Sequence, residues 1–185
     1  DMREELERIL KTLRDVSRES RRELKRLLDE NEKTIREVKK RVDEILEKLR
    51  KVIDDVRRQG NDERAEDELR KILERVKKIA DELKDRLRDS LKKSKEDIDR
   101  VARENEKLLR DAEDRIRRVA EADSRSKKVV DEVDKEIREL IRKDEEIVKE
   151  VAERVKKNSE DLRRLLEKAR REIEEIIKEL EERRR

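Results

Sequence analysis

The sequence lacks proline, cysteine, histidine and every aromatic residue, and its single glycine is Gly60. Without cysteine the chain can form no disulfide bond. Without histidine it has no imidazole to bind a transition metal or to act as a base near neutral pH. Without aromatic side chains it has no surface on which nucleic-acid bases could stack. The residues that most chemistry and most base recognition rely on are therefore missing.

Long hydrophobic runs are also missing. Apolar residues never occur more than two in a row, as in Leu27-Leu28 or Ile176-Ile177. A membrane-spanning helix needs about 20 consecutive apolar residues, and a signal peptide needs an apolar run of about 7 to 15. We therefore expect a soluble protein with no targeting segment and no membrane partner, and the sequence does not indicate a compartment.

Neither sign of charge dominates the chain. Lysine and arginine number 58 against 55 aspartate and glutamate residues, so the formal net charge is +3. No basic run exceeds three residues; the two longest are Lys39 to Arg41 and Arg183 to Arg185, and the second suits the C-terminal end of a helix. A nucleic-acid interface would gather its basic residues into one stripe. We expect no nucleic-acid partner.

What the chain does contain is charged and aliphatic residues arranged in a regular pattern. Charged residues make up 61% of the sequence and apolar residues 31%. High charge with few aromatics can indicate disorder, but here Leu, Ile, Val and Ala recur at the three- and four-residue spacing of amphipathic helices. This composition and period are typical of coiled coils and long helices. The pattern predicts an all-α protein with helices at about residues 2–59, 62–121 and 124–183.

Two short turns separate the three predicted helices. Glycine favours the left-handed conformation that ends a helix, and Asp, Asn and Ser favour the position that begins one. Helices joined by short turns pack as antiparallel neighbours. We therefore predict one domain, residues 1–185, forming a long antiparallel up-down-up three-helix bundle with nearly straight coiled-coil packing. The predicted turn and cap residues are Gly60, Asn61, Asp62, Asp123, Ser124 and Ser126.

Small polar residues interrupt the apolar stripe of each helix. In antiparallel hairpins, residue i of the first helix lies level with about residue 121 − i of the second, and residue j of the second with about 247 − j of the third. These heights group the polar residues into two layers, each drawing on all three helices. The first predicted layer contains Ser17, Ser20, Asn105 and Asp144, and the second contains Asn31, Thr34, Ser90, Ser94, Asn158 and Ser159.

Three interpretations of these layers are open from residue chemistry. A buried carboxylate with Asn and Ser could bind a hard cation, but one carboxylate in a layer is a poor ligand set. Ser17 and Ser20 lack the activating base that a nucleophile needs. An internal hydrogen-bond network that fixes helix register requires neither. We favour the network, in which Asp144 either faces the core or tilts to the bundle edge and meets a lysine or arginine.

Three equal aliphatic helices coated in Glu, Lys, Arg and Asp, with Asn and Ser layers in register, resemble a known class of protein. The sequence is similar to computationally designed, parametric three-helix bundles with buried hydrogen-bond networks. Strong helix formers on every surface and one glycine at one turn follow published design practice. The nearest natural look-alikes are spectrin-type repeats, which normally keep buried aromatics and irregular turns.

The resemblance implies a designed structural scaffold with no natural biochemical activity. On this hypothesis the chain is not an enzyme, has no catalytic or metal-binding residue, uses no cofactor or small-molecule ligand and works as a monomer without a required partner. The alternative is a helical interaction module, either a self-associating coiled coil or a spectrin-like helix face for a partner. About three core positions per heptad suit a single three-helix core and leave no second apolar face, which favours the monomer.

Overall fold

The computed structural model describes residues 2–59, 63–123, 125 and 127–184. Three long helices account for nearly all of them: α1 (Met2–Gln59), α2 (Glu63–Ala122) and α3 (Lys127–Arg184). No strand occurs in these described residues. The all-α prediction is therefore confirmed. Of the predicted turn residues, Gly60, Asn61, Asp62, Ser124 and Ser126 lie outside the described residues.

Charges at the ends of α1 agree with the helix dipole. Glu4 and Glu5 lie in its first turn, and Arg57 and Arg58 lie in its last. Acidic groups near the N-terminus and basic groups near the C-terminus are each worth about 0.3–1 kcal/mol when exposed. Because proline is absent and Leu, Glu, Lys and Arg are strong helix formers, nothing in the sequence of α1 interrupts it between these ends.

The connection between α2 and α3 contains Asp123, one of the predicted cap residues. Its carboxylate Oδ1 accepts a hydrogen bond from the backbone N–H of Arg125 at 3.0 Å. A side chain that bonds the backbone two residues later forms an Asx-type turn, which competes with helix. The helix accordingly begins at Lys127, three residues later than the expected residue 124.

The chain forms two compact units, each containing one segment of every helix. Unit 1 comprises Asp1–Glu30 and Lys93–Val155, and unit 2 comprises Asn31–Lys92 and Lys156–Arg185. The expectation that residues 1–185 make one domain stays a prediction.

Unit 1 contains two apolar cores. Early residues of α1 share a core with late residues of α2 and early residues of α3, so α2 runs antiparallel to α1 and α3 runs parallel to it. Core 1 consists of Leu6, Leu10, Leu13, Leu109, Ala112, Ile116, Val130, Val133 and Ile137. Core 2 consists of Leu24, Leu27, Leu28, Ile98, Val101, Val151 and Val155.

Unit 2 has the same arrangement of helix directions. Its two cores again combine later positions of α1 with earlier positions of α2 and later positions of α3. Core 3 consists of Ile35, Val38, Val42, Leu83, Leu87, Leu162 and Ala169. Core 4 consists of Leu49, Leu69, Leu73, Val76 and Ile173. The predicted up-down-up three-helix bundle is thus confirmed. None of the described helices carries an apolar stretch long enough to cross a membrane.

Candidate functional site

Polar residues interrupt the apolar stripes of unit 1 between its two cores. Ser17 falls between the core 1 and core 2 positions of α1, Asn105 between those of α2, and Asp144 between those of α3. All three are buried, and Asp144 is 4% exposed. The helical spacing that places core residues on the inner face therefore places these side chains on the same face.

Asp144 is the acceptor that joins the three helices. The hydroxyl of Ser17 donates to Oδ1 at 2.7 Å and lies 2.8 Å from Oδ2, so its single proton is shared between the two oxygens. The amide Nδ2 of Asn105 donates to Oδ2 at 2.8 Å. The carboxylate therefore accepts hydrogen bonds from α1, through Ser17, and from α2, through Asn105.

Arg21 completes the set of donors to Asp144. Its Nε donates to Oδ1 at 3.0 Å, and its side chain is 37% exposed while the carboxylate is buried. A buried carboxylate without a counter-charge would be strongly unfavourable, and a hydrogen-bonded cation offsets much of that penalty. We call Ser17, Arg21, Asn105 and Asp144 the Asp144 cluster. Asp144 thus faces the interior and also meets an arginine, the two alternatives left open by the sequence.

Arg21 was not predicted in the first layer, because charged residues outside the apolar stripe were expected to be solvated. A usable indication was present, since Arg21 follows Ser17 by four residues and so shares its helix face. Ser20, which was predicted in that layer, is half-buried and is not among the donors to Asp144.

The second predicted layer contains a weaker contact. In unit 2, Nδ2 of Asn158 donates to Oδ1 of Asn31 at 3.5 Å, the upper limit for such a bond. Asn31 is buried and Asn158 is half-buried. The remaining members of this layer are all half-buried: Thr34, Ser90 and Ser159 in unit 2 and Ser94 in unit 1.

Three ion pairs between α1 and α3, other than Arg21–Asp144, have the same spacing. Arg14, Arg50 and Arg57 of α1 bind Glu136, Glu172 and Glu179 of α3, and each partner lies 122 positions later in the chain. Two polar pairs on the inner faces of these helices, Ser17–Asp144 and Asn31–Asn158, have partners 127 positions apart in the chain. A difference of five positions is the spacing between flanking charged positions of parallel coiled coils, which help to select partner and orientation.

The pKa of Arg50 is raised above its ordinary value. The hydrogen bond from its guanidinium to Glu172 is the largest cause, followed by the negative charge of Glu172. An arginine is protonated at physiological pH with or without such a shift, so the raised pKa reflects the contact with Glu172 and does not change the charge of Arg50.

The Asp144 cluster has limited chemical capacity. A carboxylate that accepts a proton from serine could in principle activate a nucleophile. Here Ser17 is 2% exposed, and both oxygens of Asp144 already accept hydrogen bonds. In the parts of the chain that the structure describes, no three acidic side chains are grouped closely enough to hold a metal ion.

The chain is similar to a solved structure of a three-helix bundle. A solved structure described as "Computationally designed three helix bundle" is 27% identical to this chain, covering 98% of this chain and 89% of that one, with a TM-score of 0.42. The fold of the chain rests on its own helices and cores. No protein-family model and no curated protein matches the chain.

Proposed function

We propose that this chain is a designed structural scaffold whose buried polar residues set the register of its helices. The observation that carries the proposal is the bonding of Asp144, whose two oxygens accept hydrogen bonds from Ser17 and Arg21 of α1 and from Asn105 of α2. The donors are part of the chain itself, so the cluster recognises the other helices rather than an external molecule.

The energetic reason is that the cluster penalises wrong pairings. An unpaired buried charge or amide costs free energy, commonly about 1–3 kcal/mol for each polar group and more for a charge. A slip of α3 along its neighbours would bring leucine or valine opposite Asp144 and remove its donors. Apolar contacts change much less on such a slip, because one aliphatic side chain replaces another. The polar residues therefore discriminate between registers that the apolar cores tolerate.

A triple variant tests the register role of the Asp144 cluster. Ser17→Ala, Asn105→Leu and Asp144→Leu together replace the buried bonds with apolar contacts, while Arg21 can turn to solvent. Because well-packed apolar residues can replace a buried polar network without loss of stability, we expect unchanged helix content and equal or higher stability. We expect the variant to lose its single helix register, which would appear as mixed oligomers in light scattering or as several conformers in NMR spectra.

The control for the triple variant is Ser20→Ala, which removes a half-buried hydroxyl of α1 that does not bond Asp144. This variant should keep a single species. If the triple variant also remained one monomeric species with one set of NMR signals, the cluster would not set register. Unfolding of the triple variant would equally reject the proposal, because the cluster would then be required for stability.

The same reasoning applies to Asn31 in unit 2. Replacing Asn31 with Leu removes the long bond to Asn158 and adds apolar surface beside core 3. We expect helix content to be preserved and stability to be preserved or raised, with any loss appearing as mixed oligomers or registers. Unfolding of Asn31→Leu, measured by circular dichroism, would show that this residue is not a specificity device.

The interaction-module alternative and the scaffold proposal predict different particle sizes in solution. Among the described residues, Leu108 is the single large apolar side chain that is exposed, and one side chain does not make a docking patch. The scaffold proposal therefore expects a monomer in light scattering at micromolar concentration. A stable dimer or larger assembly would favour the self-associating module.

A further inference from the structure

Two polar atoms of the Asp144 cluster have no hydrogen-bond partner among the described residues although solvent does not reach them. One is the acceptor Oδ1 of Asn105, and the other is the donor Nη2 of Arg21. Buried polar atoms in folded proteins are almost always bonded to protein or to ordered water. A donor and an acceptor in one cluster therefore indicate a site for a further group.

Both atoms belong to groups that already bond Asp144. Asn105 uses Nδ2 on Oδ2, and Arg21 uses Nε on Oδ1. One N–H of the guanidinium Nη2 is parallel to Nε–H, so it points to the same side as the bond to Asp144. In the observed geometry Nη2 makes no hydrogen bond to either carboxylate oxygen.

Rotating the Asn105 amide by half a turn would not give its Oδ1 a hydrogen-bond donor. Exchanging its nitrogen and oxygen would place Oδ1 of Asn105 against Oδ2 of Asp144, which would set two acceptors against each other. The bond to Asp144 therefore fixes the amide with Oδ1 turned away from the carboxylate. The free acceptor is a consequence of the network.

The charges of the cluster restrict what could occupy the site. The guanidinium of Arg21 disfavours a cation, and the carboxylate of Asp144 disfavours an anion. A neutral molecule that both donates and accepts a hydrogen bond matches the two free atoms. Ser17, Asn105 and Asp144 are buried between two apolar cores, which favours the smallest such molecule.

We propose that the Asp144 cluster binds one water molecule, which donates to Asn105 Oδ1 and accepts from Arg21 Nη2. Buried waters usually make two to four hydrogen bonds to polar groups that would otherwise lack partners. Within the cluster, the water adds a second hydrogen-bonded connection between α1 and α2 beside the one through Asp144. It reaches the cluster past Arg21, the member of the cluster with the largest exposure. This inference does not depend on the register role, because the cluster could set register with or without the water.

A high-resolution crystal structure of the full chain tests the proposal directly. We expect one solvent peak within hydrogen-bond distance of both Asn105 Oδ1 and Arg21 Nη2. Absence of that peak, or the finding that either atom bonds another protein group instead, would overturn the proposal.

Two variants test whether Arg21 holds the water. Arg21→Met keeps a long side chain and removes the donor, so the peak should be lost. Arg14→Met is the matched control, since Arg14 also joins α1 to an acid of α3 but is exposed and lies outside the cluster. The peak should remain in this control. Persistence of the peak at full occupancy in Arg21→Met would overturn the assigned partner.

A solution measurement keeps the proposal testable if Arg21→Met fails to fold, which circular dichroism would reveal. In the unmodified protein, the side-chain amide protons of Asn105 should show dipolar cross-peaks with a long-lived water molecule. Asn105 protons without a cross-peak would contradict the site.

Discussion

Inside unit 1, three donors face the two carboxylate oxygens of Asp144. Ser17 and Asn105 are themselves buried, so their hydrogen-bonding groups have few alternatives to the carboxylate. Arg21 supplies the positive charge and remains partly solvated. Each group in the cluster thus depends on the acceptor capacity of one aspartate.

The first prediction concerns Asp144→Asn, which conserves the shape of the side chain. An amide has one accepting oxygen, and its NH₂ group must face at least one of the three present donors. We expect the free energy of unfolding to fall by about 1–3 kcal/mol, since a buried donor loses its partner. Urea-induced unfolding followed by circular dichroism measures this change.

The matched control is Asp134→Asn on the same helix. Asp134 forms an i,i+4 ion pair with the exposed Arg138, and such pairs contribute about 0.3–0.5 kcal/mol. If Asp144→Asn lowered the free energy of unfolding no more than Asp134→Asn, the buried hydrogen bonds of Asp144 would contribute little to stability.

Helix spacing and turn position predicted much of this cluster. The two predicted hairpin alignments together place a residue of α1 level with one about 126 positions later in α3, and the observed polar pairs are 127 positions apart. Which atoms bond could not be predicted, because that depends on the rotation of each helix about its own axis. Ser20 lies three residues from Ser17, yet only Ser17 is turned toward Asp144.

At the scale of the helix, neighbouring residues of one apolar stripe differ sharply in burial. Leu109 is 1% exposed in core 1, whereas Leu108 is 47% exposed. Successive helical residues point about 100° apart, so one of two adjacent leucines can lie on the inner face while the other lies at its edge. The edge of the stripe becomes visible only when the partner helices are in place.

The second prediction uses this pair of leucines. Leu109→Ala removes buried volume and should lower the free energy of unfolding by about 2–5 kcal/mol. Leu108→Ala is the control on the adjacent position and should change it by no more than about 0.5 kcal/mol. Denaturant unfolding of both variants gives the comparison, and equal effects would contradict the burial of Leu109 in core 1.

The third prediction concerns the ion pairs between α1 and α3. A double-mutant cycle on Arg14 and Glu136, each changed to Ala, should give a coupling of about 0.2–1 kcal/mol because both side chains are largely exposed. The coupling should shrink at high salt, where the Debye length is about 3 Å at 1 M. Unfolding midpoints at two salt concentrations provide the measurement.

A second cycle serves as the control for that coupling. It combines Arg14 with Glu104, an acid that pairs with Arg100 of α2 instead, and should give no coupling. A coupling between Arg14 and Glu136 that does not change with salt would contradict a solvent-exposed electrostatic contact.

Helix ends were less predictable than helix interiors. Three cap-type residues, Asp123, Ser124 and Ser126, lie close together before α3, and their residue types alone do not rank them. The bond from Arg125 N–H to Asp123 shows how one of them is used, and the helix begins only at Lys127. Local competition between a side-chain turn and the first helical turn decided the boundary.

For the whole molecule, the fourth prediction is high thermal stability. Each unit has two apolar cores assembled from all three helices, and the helices contain 58, 60 and 58 residues. Long helices gain most of their stability from such packing. We expect a thermal midpoint above about 70 °C, compared with about 45–65 °C for ordinary mesophilic domains.

Circular dichroism at a helical wavelength measures this midpoint, and a repeat scan after cooling establishes whether unfolding is reversible. Scans at two heating rates distinguish an equilibrium midpoint from a kinetic one. A cooperative, reversible transition below about 70 °C would contradict the prediction.

The donors to Asp144 also constrain the order in which unit 1 assembles. If α3 docked against α2 alone, Asp144 would leave water with only the bond from Asn105; against α1 alone, it would lack that bond. Either half-assembled state carries a desolvated charge with an incomplete set of partners, which raises its free energy. The aspartate therefore disfavours the two-helix intermediates that contain α3, and in unit 1 we expect α3 to dock only onto a preformed pair of α1 and α2.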